Sequence, residues 1–135
     1  MGHEAQTTLN LRLILAVALG GAIGSVARYL VGIGSGKLFG LDFPWGTLII
    51  NIAGSFLIGV LVESFALKWD LPQAVRVFLT IGICGGFTTF STFSLDSYLL
   101  IDRGELWPAA AYMAGSVALS IAALFAGLQL IRAIS

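Results

Sequence analysis

The sequence predicts an all-α membrane protein of four transmembrane helices with a broken third helix, and three observations carry that expectation. Of 135 residues, 58% are hydrophobic and 10% charged, the formal net charge is zero, and the mean hydropathy is +0.97. Soluble domains carry about 25% charged residues. Four apolar spans can be drawn, Leu13 to Ile33, Gly46 to Leu67, Val75 to Ile101 and Leu106 to Ile131, each near or above the ~20 residues that cross a bilayer as a helix. Inside the third, Gly82 to Ser94 read GICGGFTTFSTFS, a run too rich in glycine and β-branched threonine for a smooth helix.

The spans consume most of the chain and leave a polar tail, Met1 to Arg12, and three short connections, so residues 1–135 are expected to form a single four-helix transmembrane domain. Leu13 to Ala18 imitate a signal peptide, but the apolar stretch runs on past Ala18, and a first membrane span is the expectation. Cys84 is the only cysteine, which excludes a disulfide within the chain, and the only histidine, His3, lies in the tail. No metal-ligating cluster and no spaced nucleophile and base point to catalysis, so no enzyme is expected. A net charge of zero gives nucleic acid no electrostatic footing. Gly32, Gly34, Gly36 and Lys37 imitate a phosphate loop, but Leu38 stands where Ser or Thr belongs and the leading glycine is missing.

In the first span Gly20, Gly21, Gly24, Ser25 and Arg28 form a stripe at helical spacing that ends in a guanidinium. Small residues four apart allow close helix approach, which makes packing the plain reading of the glycines. Arg28 has two readings, a side chain snorkelling to the headgroups or a fixed positive charge at the mouth of an anion path. The second span sets Thr47, Asn51 and Ser55 four apart on one face. An amide in hydrocarbon needs a partner, so Asn51 either bonds a neighbouring helix or donates N–H to an ion. Glu63, near that span's end, reads as a solvated or headgroup-level acid.

In the third span the adjacent Gly85 and Gly86 remove helix propensity, and the backbone is expected to break beside them. Freed N–H and C=O groups are tolerated at membrane depth only where they face protein, water or an ion, which makes this segment the expected transport site. Phe90 and Phe93 are three apart, as are Ser91 and Ser94, so a helical turn there shows two rings on one side and hydroxyls on another. A phenylalanine stripe usually packs a core. Ring edges, positive through the aromatic quadrupole, can also hold a small anion without a cation. The fourth span sets Tyr112, Ser116 and Ser120 four apart. Serines can bond back to the preceding turn, the expected state of Ser120. Tyr112 fits either an aromatic belt with Trp45, Trp69 and Trp107 or a pore lining.

Four spans put both termini on one side. That side holds Arg12, Lys68, Arg76 and Arg132, and the opposite one Lys37, Arg103 and Arg28. An excess of Lys and Arg fixes orientation, so a bias this slight predicts weak or mixed insertion. Four short helices hardly enclose a wet path, yet their polar faces need cover from lipid. An antiparallel, dual-topology homodimer would supply that cover.

The segments GGAIGSVARY (Gly20 to Tyr29), GTLIINIAGSFLIG (Gly46 to Gly59) and GGFTTFSTFS (Gly85 to Ser94), in that order, resemble the signatures of the Fluc, or CrcB, fluoride channels. The resemblance implies fluoride as the transported ion, an antiparallel homodimer in the cell inner (plasma) membrane, two pathways along its interface, and passive export that relieves fluoride toxicity. The family's phenylalanine box falls on Phe90 and Phe93, its pore asparagine on Asn51, and its hydroxyl track on Ser91 and Thr92. An acidic position follows, Asp96 here, where the family can carry glutamate. Thr47, Tyr112 and Ser116 match lining positions, and Arg28 matches the basic residue of the aqueous vestibule. The resemblance also implies a structural sodium ion, not transported, held at the dimer centre by backbone carbonyls that here belong to Gly85 and Thr88.

Two other classes use four short spans or pack through small residues. A small multidrug transporter needs a carboxylate deep in the bundle, on the first helix, to alternate between proton and cation. The first span has none, and Glu63, Asp96 and Asp102 lie toward span ends. A non-transporting assembly subunit would use its small residues only to pack against a larger partner.

Overall fold

A computed structural model of the chain describes residues 9–135, so His3 and most of the polar tail lie outside the described residues. Helices follow in the order α1 (Leu11–Phe39), α2 (Trp45–Leu67), α3 (Gln73–Val77), a π-helical stretch (Phe78–Cys84), α4 (Gly85–Phe87), α5 (Phe90–Asp102) and α6 (Leu106–Ile134). The segments from α3 to α5 succeed one another along a third span, Gln73–Asp102, so four helical spans are long and apolar enough to cross a membrane and the third is bent.

The ends of α1 obey local chemistry. Asn10 caps it, its side chain accepting the Arg12 N–H at 2.8 Å. The helix stops at Gly40, whose φ of 80° only glycine adopts freely. Between these caps α1 runs past its expected end at Ile33, through Gly34, Gly36 and Lys37, so the stretch that imitates a phosphate loop is helical.

Glycines set the packing. A Cβ on Gly20 would strike the Phe78 carbonyl, one on Gly24 the Ile83 carbonyl, and one on Gly86 would lie 2.7 Å from the Gly21 carbonyl oxygen. The first span thus lies backbone to backbone on the first half of the third. The second and fourth spans do the same, Gly59 facing the Leu124 carbonyl and Gly127 the Phe56 carbonyl. Lipid removes the hydrophobic drive between helices, and close van der Waals contact takes its place. Leu100, Ala109 and Tyr112 form the buried core, with Phe43, Leu48, Phe93 and Met113 packed on it.

Polar ties join the connections at each end. Arg103 Nη2 donates to the Asp42 carbonyl and to Glu105 Oε2, both at 2.8 Å, which links the first and third connections. Lys68 Nζ donates to the Ile134 carbonyl at 3.3 Å, which links the second connection to the end of α6.

Glu63 departs from expectation. It is 7% exposed rather than solvated, and accepts from Arg132 Nε at 2.6 Å. The cause lies one turn earlier, where α2 and α6 cross closely at Gly59 and Gly127 and carry Glu63 against α6. Arg132→Gln is expected to cost about 2 kcal/mol by stranding the buried carboxylate, below the ~3–5 kcal/mol of a fully buried pair, because the Arg132 side chain is 56% exposed. Thermal melting in detergent reads this out, and Glu63→Gln in the same chain should restore most of the loss.

Candidate ion-conducting site

The interruption of the third span falls on Thr88 (φ −80°, ψ 157°) and Thr89 (φ −152°, ψ 122°), both extended. Gly85 and Gly86, beside which the break was expected, stay helical. Gly86 is needed for space against Gly21, whereas β-branched threonine accepts extended backbone readily and carries a hydroxyl that can cap a helix.

Three side chains repair the gap. Thr89 caps α5, its Oγ1 accepting the Thr92 N–H at 3.2 Å and donating to Thr92 Oγ1 at 3.2 Å. Asn51 reaches across from α2, Oδ1 accepting the Thr89 N–H at 2.9 Å and Nδ2 donating to the Thr89 carbonyl at 3.1 Å. Arg28, half-buried on α1, donates from Nε to the Gly86 carbonyl at 3.1 Å. Its guanidinium is thereby fixed beside the break. In an unbroken helix the Thr89 and Thr92 amides would go to the carbonyls of Gly85 and Thr88. Here both amides are taken elsewhere, which leaves those two carbonyls without them.

Thr89 borders two cavities. One, of about 710 Å³, is lined by Arg28, Lys37, Thr47, Thr92 and Asp96 among others. The second, of about 410 Å³, is lined by Asn51, Gly85, Thr88, Phe90, Phe93 and Ser116 among others. The expected site residues are therefore divided rather than gathered in one chamber. Tyr112 lines neither cavity, being 1% exposed, with its ring 5.2 Å from that of Phe93 and 5.6 Å from that of Phe43, and its hydroxyl donating to Asp96 Oδ2 at 3.1 Å. Ser91 also lines neither; it is exposed on α5, its Oγ 3.3 Å from Thr89 Oγ1.

The two phenylalanines differ in setting. Phe93 packs against the core, while Phe90, its ring 5.4 Å away, is 77% exposed. The hydroxyls of Ser94 and Ser97 bond back to the carbonyls of Phe90 and Phe93 at 3.0 and 2.8 Å. Ser120 does not follow that expected pattern: its Oγ and that of Ser116 are buried without a hydrogen-bond partner. Both serines line the second cavity, where no preceding-turn carbonyl claims them. Thr80 lines it too and was missed from sequence; its hydroxyl is spent on the Arg76 carbonyl, and nothing in its spacing marked it.

The profile of the family described as CrcB-like protein, Camphor Resistance (CrcB), matches residues 15–128. The chain belongs to the CrcB family. A fluoride-specific ion channel FluC of Nitrobacter winogradskyi is 67% identical over 121 residues, covering 90% of this chain and 96% of that protein. Those of Agrobacterium fabrum and Rhodospirillum centenum are 57% and 52% identical, covering 88% and 90% of this chain and 95% and 97% of theirs. The relatives are named as ion channels, and this CrcB protein is a multi-pass membrane protein, not an enzyme. Its polar groups at the break fall into two sets. Thr89, Thr92 and Arg28 each give a group to the backbone there, while the hydroxyls of Ser116 and Ser120 have no hydrogen-bond partner among the described residues and Asn51 Nδ2 makes one bond, to the Thr89 carbonyl.

Proposed function

We propose that this protein is a fluoride-selective channel of the inner (plasma) membrane, through which cytoplasmic fluoride leaves passively down its electrochemical gradient, conferring fluoride resistance. The observation that carries this reading is the cavity at the break, where an asparagine amide and unpartnered serine hydroxyls share a wall with the rings of Phe90 and Phe93. A small anion can exchange its water there for N–H, O–H and ring-edge contacts, each weak enough to release it. The names of the relatives supply the identity of the anion.

Fluoride crosses membranes as the weak acid HF, dissociates in a less acidic cytoplasm and is trapped, so a selective leak suffices for export. The proposed path uses Thr47 and Thr92 in the larger cavity and Asn51, Phe90, Phe93 and Ser116 in the smaller, with Arg28 raising the anion concentration in the larger one, exposed Ser91 at the edge and buried Tyr112 supporting the Phe93 ring. A second, inverted copy would cover the exposed Phe90 and close the path, which favours an antiparallel homodimer with mixed insertion. The Gly85 and Thr88 carbonyls, relieved of their amides, suit a hard cation, and four such oxygens from two chains would hold a structural sodium ion that ties the dimer.

Purified protein in liposomes is expected to release fluoride, and not chloride, under the same voltage. Equal release of both halides, or proton-coupled uptake of organic cations, would overturn the reading. Phe90→Ile is expected to cut fluoride flux at least ~10-fold with unchanged melting, because its ring is 77% exposed. Phe93→Ile should cut flux and also cost about 1 kcal/mol through its lost ring contact with Tyr112. Undiminished flux in both variants would remove the ring edges from the mechanism.

A further inference from the structure

We propose that the cleft between the end of α2 and the start of the third span binds an anionic phospholipid, its phosphate on Arg76 and an acyl chain along the apolar wall. The cleft has a volume of about 560 Å³ and lies against Ile58, Val62, Phe65 and Ile81, with Arg76 and Thr80 as its polar members. No carboxylate lines it. The hydroxyl proton of Thr80 is committed to the Arg76 carbonyl at 2.8 Å.

Among the described residues, one donor of the cleft and one beside it have no acceptor. Arg76 Nε is buried and unpartnered, and so is Gln73 Nε2, three residues earlier and hence on the same side of the turn. Among the described residues Arg76 forms no ion pair. Glu63 is engaged by Arg132, and Asp70 is exposed on the second connection without a bridge. A buried guanidinium nitrogen without an acceptor is costly, and a phosphate oxygen is the partner its fork best fits.

The location decides which phosphate. The second connection begins at Lys68 and Trp69, and the Trp69 ring is 45% exposed, as a residue at the headgroup border would be. The walls below are aliphatic and aromatic, suited to a lipid tail rather than to a free ion. A zwitterionic headgroup would bring an ammonium for which the cleft offers no carboxylate, so a net-negative headgroup fits better. The cleft shares Ile58 and Thr80 with the cavity at the break, but not Asn51, Phe90 or Phe93, and the inference does not depend on what the channel conducts.

Native mass spectrometry of the full chain in detergent tests this, with short-chain phosphatidylglycerol, phosphatidylcholine and inorganic phosphate as probes. Phosphatidylglycerol is expected to be retained about fivefold better than phosphatidylcholine, the scale of one basic residue acting on a net-negative rather than a zwitterionic headgroup. Arg76→Gln should remove that preference. Ala66→Trp, which narrows the groove and leaves Arg76 in the chain, should weaken retention of both lipids, and it keeps the test decisive where Arg76→Gln disturbs folding. Equal retention of phosphatidylglycerol by Arg76→Gln and wild type would overturn the proposal. So would inorganic phosphate binding as strongly as the lipid, displacement of the lipid by fluoride, or disulfide cross-linking of two copies through Val62→Cys.

Discussion

Replacing Asn51 by alanine is expected to abolish fluoride flux and to lower stability by about 2 kcal/mol. Hydrogen bonds between membrane helices average only ~0.6 kcal/mol, because the unfolded chain in lipid finds other partners. Asn51 is a different case. Its one amide bonds both the N–H and the carbonyl of Thr89, at 2.9 and 3.1 Å, and that N–H has no helical carbonyl to go to. Alanine strands the Thr89 N–H at the break and removes an N–H that a passing anion could use. Asn51→Asp separates these roles, since it keeps an acceptor for the Thr89 amide but sets a carboxylate against the Thr89 carbonyl and against any anion. Flux should vanish in both variants, measured by fluoride electrode on liposomes. Wild-type melting of Asn51→Ala would mean that the amide does not hold the break.

Gly24→Ala is expected to be the most damaging of the small substitutions, costing about 3 kcal/mol. Its new methyl would strike the Ile83 carbonyl and approach the Phe87 nitrogen to 2.8 Å, and neither is the movable tip of a side chain. Relief requires the first span to move off the third. Phe87 directly precedes Thr88 and Ile83 lies little more than a turn earlier, so that movement would also shift the break and lower flux. Gly34→Ala is the control: it lies on the same helix with nothing within 4 Å of its Cβ position, and alanine's helix propensity should make it neutral to ~1 kcal/mol stabilising. Equal melting temperatures for the two variants would contradict the packing described here.

The four spans were legible because hydrophobic length is a one-dimensional property. The glycine stripe of the first span was legible too, since Gly20 and Gly24 lie where spacing alone put them, against another backbone. The break was legible to within a few residues, beside the paired glycines and before Phe90. Gly85 and Gly86 stay helical, Gly86 packing on Gly21, and the discontinuity falls just after them at Thr88 and Thr89, where Asn51 and a threonine cap can satisfy it. The π-helical turn over Phe78–Cys84 left no signal in composition. Glu63 was misread because its partner Arg132 lies far along the chain, and only the crossing of α2 and α6 brings them together. Among the site residues, spacing put Ser116 and Ser120 on one face but could not tell that both hydroxyls stay unbonded, which depends on what the second span leaves open opposite them.

Thr89 contributes to the walls of both cavities, about 710 Å³ on one side and about 410 Å³ on the other. An electrical potential difference falls mainly across the insulating matter between two conducting fluids. With water standing in both chambers, Thr89 would lie in the insulation between them. A larger share of the ~2.3 kcal/mol per elementary charge that 100 mV supplies would then act at this shared wall, instead of being spread evenly along the length of a helix. Voltage would pull on the ion hardest where the Asn51 amide meets the Thr89 backbone.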